Sequence, residues 1–186
     1  MAGARGIGGR NRAPREDRLI VVITGMDAFP LDRLARAADE LHASNAVGDE
    51  FFIQLGACRY TPEHAPFERF LAFGDVCDRI RAASAVVTHA GAGSTLVCIQ
   101  SGKHPVVVPR RPDLGEVADG HQVQFAERLA GEGLVTPVYE MNDLPRAIAA
   151  ARRKRVGPSP STGERAQLTS WLEGYWRSVA WGPKAR

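Results

Sequence analysis

Apolar runs that stop at a glycine and give way to helix-compatible sequence predict an α/β fold, a Rossmann-like parallel sheet with flanking helices. Leu19–Thr24 (LIVVIT) and Phe51–Leu55 (FFIQL) are continuous rather than alternating, as in strands buried on both faces, and they end at Gly25 and Gly56. Ala85–Thr88, the turn His89-Ala90-Gly91-Ala92-Gly93-Ser94, a helical stretch over 95–101 and Val106–Val108 make one complete strand–helix–strand unit. With 186 residues, 44% hydrophobic and 24% charged, the chain suits one domain with a proper core plus tails.

Residues 1–18 are rich in Gly, Arg and Ala without periodicity and read as a disordered basic arm. After the first strand, residues 25–30 are a loop, and Leu31, Leu34, Ala35, Ala38 and Leu41 recur at helical spacing to about His42. Pro62 and Pro66 make 57–66 a long loop, residues 69–72 read as a short strand, and 75–83 as a helix. Beyond Val108, residues 109–120 are a polar loop, and Val123, Phe125, Ala126 and Leu129 mark a helix ending near Gly131. Residues 134–138 form the last strand and 144–151 the next helix, closing a domain over 19–156. GPSPSTG (157–163) is a linker, and Leu168, Trp171, Leu172, Tyr175 and Trp176 give 165–179 the stripe of an amphipathic helix. In such a fold the loops after Thr24, Leu55, Thr88 and Val108 converge at the C-terminal edge of the sheet, where a ligand belongs.

The glycine turn sets backbone N–H groups of Gly91, Ala92, Gly93 and Ser94 at a helix N-terminus, an arrangement that binds phosphate and points to a nucleotide-type ligand. As a dinucleotide fingerprint it is incomplete, because Leu96 stands where the third glycine belongs, and no Walker A sequence is present. Arg110-Arg111 after the next strand would suit a 2′-phosphate, which leaves an NADP-binding oxidoreductase domain open, beside a non-catalytic nucleotide-binding module. His89 either shapes the loop or meets the ligand and transfers a proton. Asp119 reads as the N-cap of a helix opened by His121 and Gln122, a second platform for an anion or a sugar. Arg110 leaves a buried strand towards this edge, where a guanidinium can grip a diphosphate bidentately; Glu116 could pair with Arg110 or accept from a sugar hydroxyl. No Asp-x-Asp or other clustered carboxylate pair ends a strand, so neither a divalent-metal clamp nor a separate cofactor is expected.

Net charge is +3 but uneven: Arg5, Arg10, Arg12, Arg15 and Arg18 crowd one end, and Arg152, Arg153, Lys154 and Arg155 form a second cluster. These are solvated surfaces or tails, or contacts to an anionic membrane surface or an acidic partner; without aromatic interleaving or a recognition motif they do not indicate nucleic acid. Cys58, Cys77 and Cys98 are widely spaced with no CxxC, as in reduced thiols of the cytoplasm. No apolar run approaches the length of a membrane span, and no apolar stretch follows the N-terminal arginines as it would in a secretory signal.

THAGAGSTLVCIQSGKHPVVVPR, followed by Gly120-His121-Gln122, resembles the nucleotide-sugar-binding half of MurG-like glycosyltransferases of family 28. The first strand and loop (VVITGMDAFPLDRL), FFIQLGACRYTP and VPRRPDLGEVADGHQVQFAERL extend the resemblance over roughly 19–140. It implies the C-terminal half of a GT-B enzyme in its stand-alone form, the small subunit of two-component transferases that build exopolysaccharide and capsule repeat units. By position, Gly25, Gly91, Ala92, Gly93 and Ser94 would lie near the diphosphate, with Arg110, Glu116, His121 and Gln122 lining the sugar and phosphate cleft and His89, Glu116 and His121 as catalytic candidates. The resemblance further implies a UDP-sugar donor, an inverting transfer to a lipid-linked acceptor, and a membrane-anchored partner subunit that holds this chain at the inner face of the membrane. Trp171, Tyr175 and Trp176 either dock that partner or pack on the chain's own sheet. Two departures stand out: Met26 replaces the usual Thr of the first loop, and Val97 replaces a Glu that holds the ribose in GlcNAc-transferring members. The second points to the polymer-building branch, with a hexose or hexuronic acid as the transferred sugar.

Overall fold

A computed structural model describes residues 18–154; residues 1–17 of the expected basic arm, the expected linker and the expected C-terminal helix lie outside the described residues. Strands β1 (Leu19–Ile23), β2 (Glu50–Gln54), β3 (Phe67–Glu68), β4 (Ala85–Thr88), β5 (Val106–Val107) and β6 (Thr136–Pro137) form one six-stranded sheet in the order β3-β2-β1-β4-β5-β6. Every pairing is parallel. Helices α1 (Asp32–Ser44), α2 (Phe73–Ala82), α3 (Ala92–Gln100), α4 (His121–Gly131) and α5 (Leu144–Ala151) cover both faces, so the expected α/β architecture is the one observed.

The unbroken apolar runs do what a two-sided sheet requires. Ile20 and Val22 turn to one face with Leu34 of α1 and Ile148 of α5. Val21 and Ile23 turn to the other with Ile80 of α2 and Cys98 of α3, and Val107 joins Phe125 and Leu129 of α4 beside them. Because β2 and β4 both pair with β1, the chain reverses its direction of travel between β1 and β4. The loops leaving that pair therefore open a crevice at the C-terminal edge.

Several boundaries shift from the sequence reading. The strand expected at 69–72 lies instead at 67–68: Ile53 donates to Pro66 O at 3.0 Å and Leu55 to Glu68 O at 2.8 Å, so pairing begins directly after Pro66 and Phe70 is already beyond the sheet. α2 begins at Phe73, two residues before the expected start. α3 begins at Ala92, which puts Gly93 and Ser94 inside its first turn. β6 keeps only Thr136–Pro137 of the expected 134–138, because Leu134 closes the end of α4 through its N–H to Leu129 O, 3.0 Å.

The long loop over 57–66 is held from α1. Asp39, four residues beyond Ala35 and on the same buried face, accepts hydrogen bonds from Tyr60 Oη (2.7 Å) and from the N–H groups of Glu63 (2.9 Å), His64 (2.9 Å) and Ala65 (2.7 Å). Burial by itself would raise the pKa of this carboxyl; the backbone donors of Ala65, Glu63 and His64 and the Tyr60 hydroxyl outweigh it and bring the value down to about 2.

Candidate functional site

At the end of β4 the chain turns through His89 and Ala90 into α3, whose N-cap is Gly91. No side chain caps this helix and no acidic residue stands in its first turn, whereas α1 and α2 carry Asp32 and Asp75 there. The first intrahelical bond runs from Thr95 N to Gly91 O, 3.0 Å, so the N–H groups of Ala92, Gly93 and Ser94 have no partner within the helix. Ser94 does not cap them either: its hydroxyl pairs with Thr88 Oγ1 (2.7 Å) and donates to Gly91 O (3.2 Å). The result is an uncompensated positive helix end beside the crevice, suited to an anion.

His89 sits under this turn as a wedge. Its ring is only 8% exposed, with Nδ1 3.4 Å from Thr88 Oγ1. A Cβ on Gly91 would stand 2.1 Å from His89 Nε2, and one on Gly25 (φ +105°) 2.9 Å from the same atom. Glycine is required at both places because the two turns close around the imidazole. Burial, then the nearby Arg110 guanidinium, drives the pKa of His89 down to about 4, so the ring is neutral at pH 7. Ala90 takes the left-handed conformation (φ 60°), which costs an L-residue about 1–2 kcal/mol. Its buried methyl packs with Val107, Phe125 and Ala126, and that burial, about 0.8 kcal/mol per carbon, offsets much of the strain.

Arg110 is brought to the crevice but its charge is spent inside the protein. The side chain is 1% exposed, with Nη1 donating to Asp27 Oδ2 (2.9 Å) and Nη2 to Thr24 O (2.8 Å) and Phe29 O (2.7 Å). It braces the first loop from below, and its Nε, also buried, has no hydrogen-bond partner. Burial lowers its pKa while the Asp27 carboxylate opposes that shift.

Glu116 does not pair with Arg110. It binds Arg33 Nε at 2.7 Å and accepts from Arg111 N at 3.0 Å, while Arg33 also donates to Pro109 O (2.7 Å) and Tyr139 O (3.2 Å). Gln122 turns its Oε1 to Arg110 N, 3.0 Å, tying the start of α4 to the end of β5. The N-cap of α4 is Gly120 rather than Asp119. Asp119 Oδ1 still accepts from His121 N at 3.1 Å, and its other oxygen lies 3.9 Å from His121 Nε2 on the surface. Arg111 is held by Asp113 and Glu140.

The structure thus gathers Gly25, His89, Gly91, Ala92, Gly93, Ser94 and Arg110 at one crevice, with Gln122 beside Arg110 and His121 at the adjacent helix start. Three supporting residues escaped the sequence reading. Arg33 carried a signal, since a cation in the first turn of a helix opposes the dipole and must be engaged elsewhere. Gln54 carried another, a polar side chain inside a buried run: its Nε2 donates to Gly25 O (3.0 Å) and Arg69 O (3.1 Å). Asp27 is one polar residue in a polar loop, and nothing in its neighbourhood marks it. Among the described residues no group of three or more His, Cys, Asp or Glu converges as a metal site would, and no helix is long and apolar enough to cross a membrane.

Comparison with known proteins gives a consistent picture. The model of the glycosyltransferase family 28 C-terminal domain matches residues 19–167. A curated relative, the UDP-N-acetylglucosamine transferase subunit ALG13 of Yarrowia lipolytica, is 40% identical over 55 residues, 30% of this chain and 26% of that protein. Among solved structures, the glycosyltransferase of kitacinnamycin shares the fold at a TM-score of 0.55 and 18% identity, covering 94% of this chain and 44% of that one. The calicheamicin glycosyltransferase CalG4 does so at 0.55 and 20%, covering 91% and 46%. Os79 from O. sativa, solved with UDP, does so at 0.54 and 15%, covering 91% and 38%. The chain spans less than half the length of these structures.

Proposed function

The chain belongs to the glycosyltransferase family 28 C-terminal domain family, and on that footing we propose that it binds the UDP-sugar donor of a two-component, inverting glycosyltransferase. The observation that carries this reading is the bare N-terminus of α3, opening beside Gly25 where the sheet reverses direction. Its free N–H groups and dipole would hold the diphosphate in the ground state and stabilise the charge that grows on it as the sugar departs. His121 and Gln122, at the start of α4, would face the sugar. The name of the curated relative, a UDP-N-acetylglucosamine transferase subunit, supports both the uridine nucleotide and the need for a second chain.

In the transfer, an acceptor hydroxyl attacks the anomeric carbon from the face opposite the diphosphate. The new C–O bond forms as the bond to the phosphate oxygen breaks, UDP leaves with that electron pair, and the hydroxyl proton passes to a base. His89, neutral and buried with a pKa of about 4, is a weak base placed beneath the phosphate turn, so the base belongs to the partner or to His121. The partner would be membrane-anchored and hold a lipid-linked saccharide, placing this chain at the inner face of the membrane. Val97 at the ribose-holding position favours a hexose or hexuronic acid donor of polymer synthesis over GlcNAc.

Thermal denaturation in the presence of nucleotide tests the reading. UDP at about 100 times its Kd stabilises by about 2.7 kcal/mol, whereas NADP leaves the midpoint unchanged. A response to NADP alone reverses the assignment, and full turnover by the purified chain without a partner removes the two-component part.

A further inference from the structure

The edge of the sheet opposite the crevice gathers positive charge from distant parts of the sequence. Arg18 enters β1 there, Lys103 precedes β5, and Arg152, Arg153 and Lys154 follow the last turn of α5. Contacts hold these elements together: Arg152 pairs with Asp49 ahead of β2, and Lys103 Nζ donates to Ala83 O ahead of β4, 2.6 Å. Like charges are close enough to be felt. Burial, then Arg18, lowers the pKa of Arg152, and burial, then Lys154, lowers that of His104. Among the described residues the carboxylates facing this group are Asp49, held by Arg152 and Ser84, and the exposed Glu50. The pairs Arg81–Asp78 and Arg128–Glu132, at the ends of α2 and α4, cancel.

This is a separation of charge rather than a surplus. Residues 18–154 hold 15 Lys and Arg against 17 Asp and Glu, and carboxylates such as Asp32, Glu68, Asp75 and Asp119 stand on the crevice side. The sequence adds cations next to both ends of the described chain: Arg5, Arg10, Arg12 and Arg15 before residue 18, and Arg155 after residue 154. We propose that this basic edge is a docking surface for an anionic lipid bilayer, and that it makes the contact without the partner subunit. From β2 to β5 is three strand spacings, about 14 Å. That is under two Debye lengths of about 8 Å at physiological salt, so the cations act on a charged surface jointly.

The chemistry of the edge favours lipid over protein. The large exposed apolar side chains of the described residues, Met26, Phe29, Phe70, Phe73 and Leu114, all stand at the other, crevice edge. The basic edge therefore lacks the aromatic and apolar anchors that carry protein interfaces. Attraction by charge alone suits a bilayer, whose phosphate headgroups repeat beneath the whole edge and demand no fixed register. Each Lys or Arg near such a surface strengthens binding about fivefold, ~1 kcal/mol, so five cations less two carboxylates amount to about 10²-fold. With this edge on the lipid, the crevice opens to water about one strand length away, roughly 17 Å. Under the proposed function the partner must then bring the saccharide end of the acceptor to that height.

Co-sedimentation of the full chain with vesicles tests this. At low salt it should bind vesicles of equal parts phosphatidylglycerol and phosphatidylcholine at least about 10²-fold more tightly than phosphatidylcholine alone, and most of that preference should vanish at about 0.5 M salt. Arg153→Ala/Lys154→Ala, at two exposed positions of the edge, should weaken binding about 25-fold. Arg59→Ala/Arg146→Ala removes two exposed arginines away from the edge and should leave binding within about threefold. Saturating UDP should not displace the vesicles, because α3 opens at the other edge; vesicle binding that persists in a chain with no UDP response would tell against the proposed function alone. The proposal is overturned by equal binding to phosphatidylcholine, by an unchanged Arg153/Lys154 variant, by an equal loss in the Arg59/Arg146 variant, or by displacement with UDP. Binding to polyglutamate but not to the vesicles would also overturn it, and would make the partner an acidic polypeptide.

Discussion

Lowering the pH from 7 to 4 perturbs His89, whose ring is wedged between the Gly25 and Gly91 turns at 8% exposure. An unfolded histidine titrates near 6.5, while burial and the neighbouring Arg110 hold this one at about 4 in the folded protein. Between those values the unfolded chain takes up a proton that the folded chain refuses. Stability is therefore complete above pH 6.5 and falls as the pH drops towards 4. At about 1.4 kcal/mol per pH unit the difference amounts to about 3 kcal/mol, a large share of the 5–15 kcal/mol typical of a domain. His104, lowered by burial and then by Lys154, adds a slope in the same window, so the comparison must be with His89→Gln rather than with theory. Urea unfolding of both proteins at intervals from pH 7 to 4 should show the gap between wild type and variant shrinking by about 3 kcal/mol. A gap that stays constant would show that the imidazole is charged or solvated in the fold, and the wedge argument would fail.

Other perturbations test the surrounding frame. Gly91→Ala sets a methyl 2.1 Å from His89 Nε2 and should cost about 1–3 kcal/mol in urea unfolding while weakening UDP binding; an unchanged midpoint would mean that the ring swings aside freely. Asp27→Ala leaves the buried Arg110 guanidinium without its counter-charge and, because the Asp27 carboxylate is itself 44% exposed and the bonds to Thr24 O and Phe29 O remain, should cost about 1–3 kcal/mol, more than Arg110→Met, which removes the buried charge itself; the reverse ranking by chemical denaturation would contradict the bracing role. Asp39→Ala should destabilise by about 2 kcal/mol at pH 7, a difference that narrows as the pH falls through 3.8 towards the folded value of about 2, because the carboxylate contributes only while it is ionised and the unfolded chain protonates first.

The sheet and its helices were legible because continuous apolar runs such as LIVVIT have one cheap solution, burial on both faces in a parallel sheet. The short edge strands were not. β3 is two residues set by the exit of Pro66 beside Ile53, a tertiary pairing that no local pattern encodes. The phosphate-type turn was visible in its glycines, but their cause was not: the sequence shows that Gly25 and Gly91 are flexible, not that His89 fills the space where their side chains would be. The roles of the charged residues were least visible. Arg110 and Glu116 were expected to face a ligand or each other, yet each found a partner more than 80 residues away in sequence, Asp27 and Arg33.

That commitment of charge has a consequence for the crevice. Arg33, Arg110 and Arg111 are neutralised by carboxylates of the protein, so each could serve a diphosphate only by surrendering a charge-assisted bond of about 1.5–3 kcal/mol. For the nearly inaccessible Arg110 this would also unfasten Thr24 O and Phe29 O, and with them the loop that carries Gly25. Backbone N–H groups at the start of α3 carry no such cost, since they have no partner within the helix to surrender. The arginines therefore fix the shape of the crevice and the uncapped helix supplies its attraction. On the proposed function, a site built in that way would recognise the geometry of a phosphate against the turn rather than the number of charges it bears, which would suit a diphosphate already esterified at both ends.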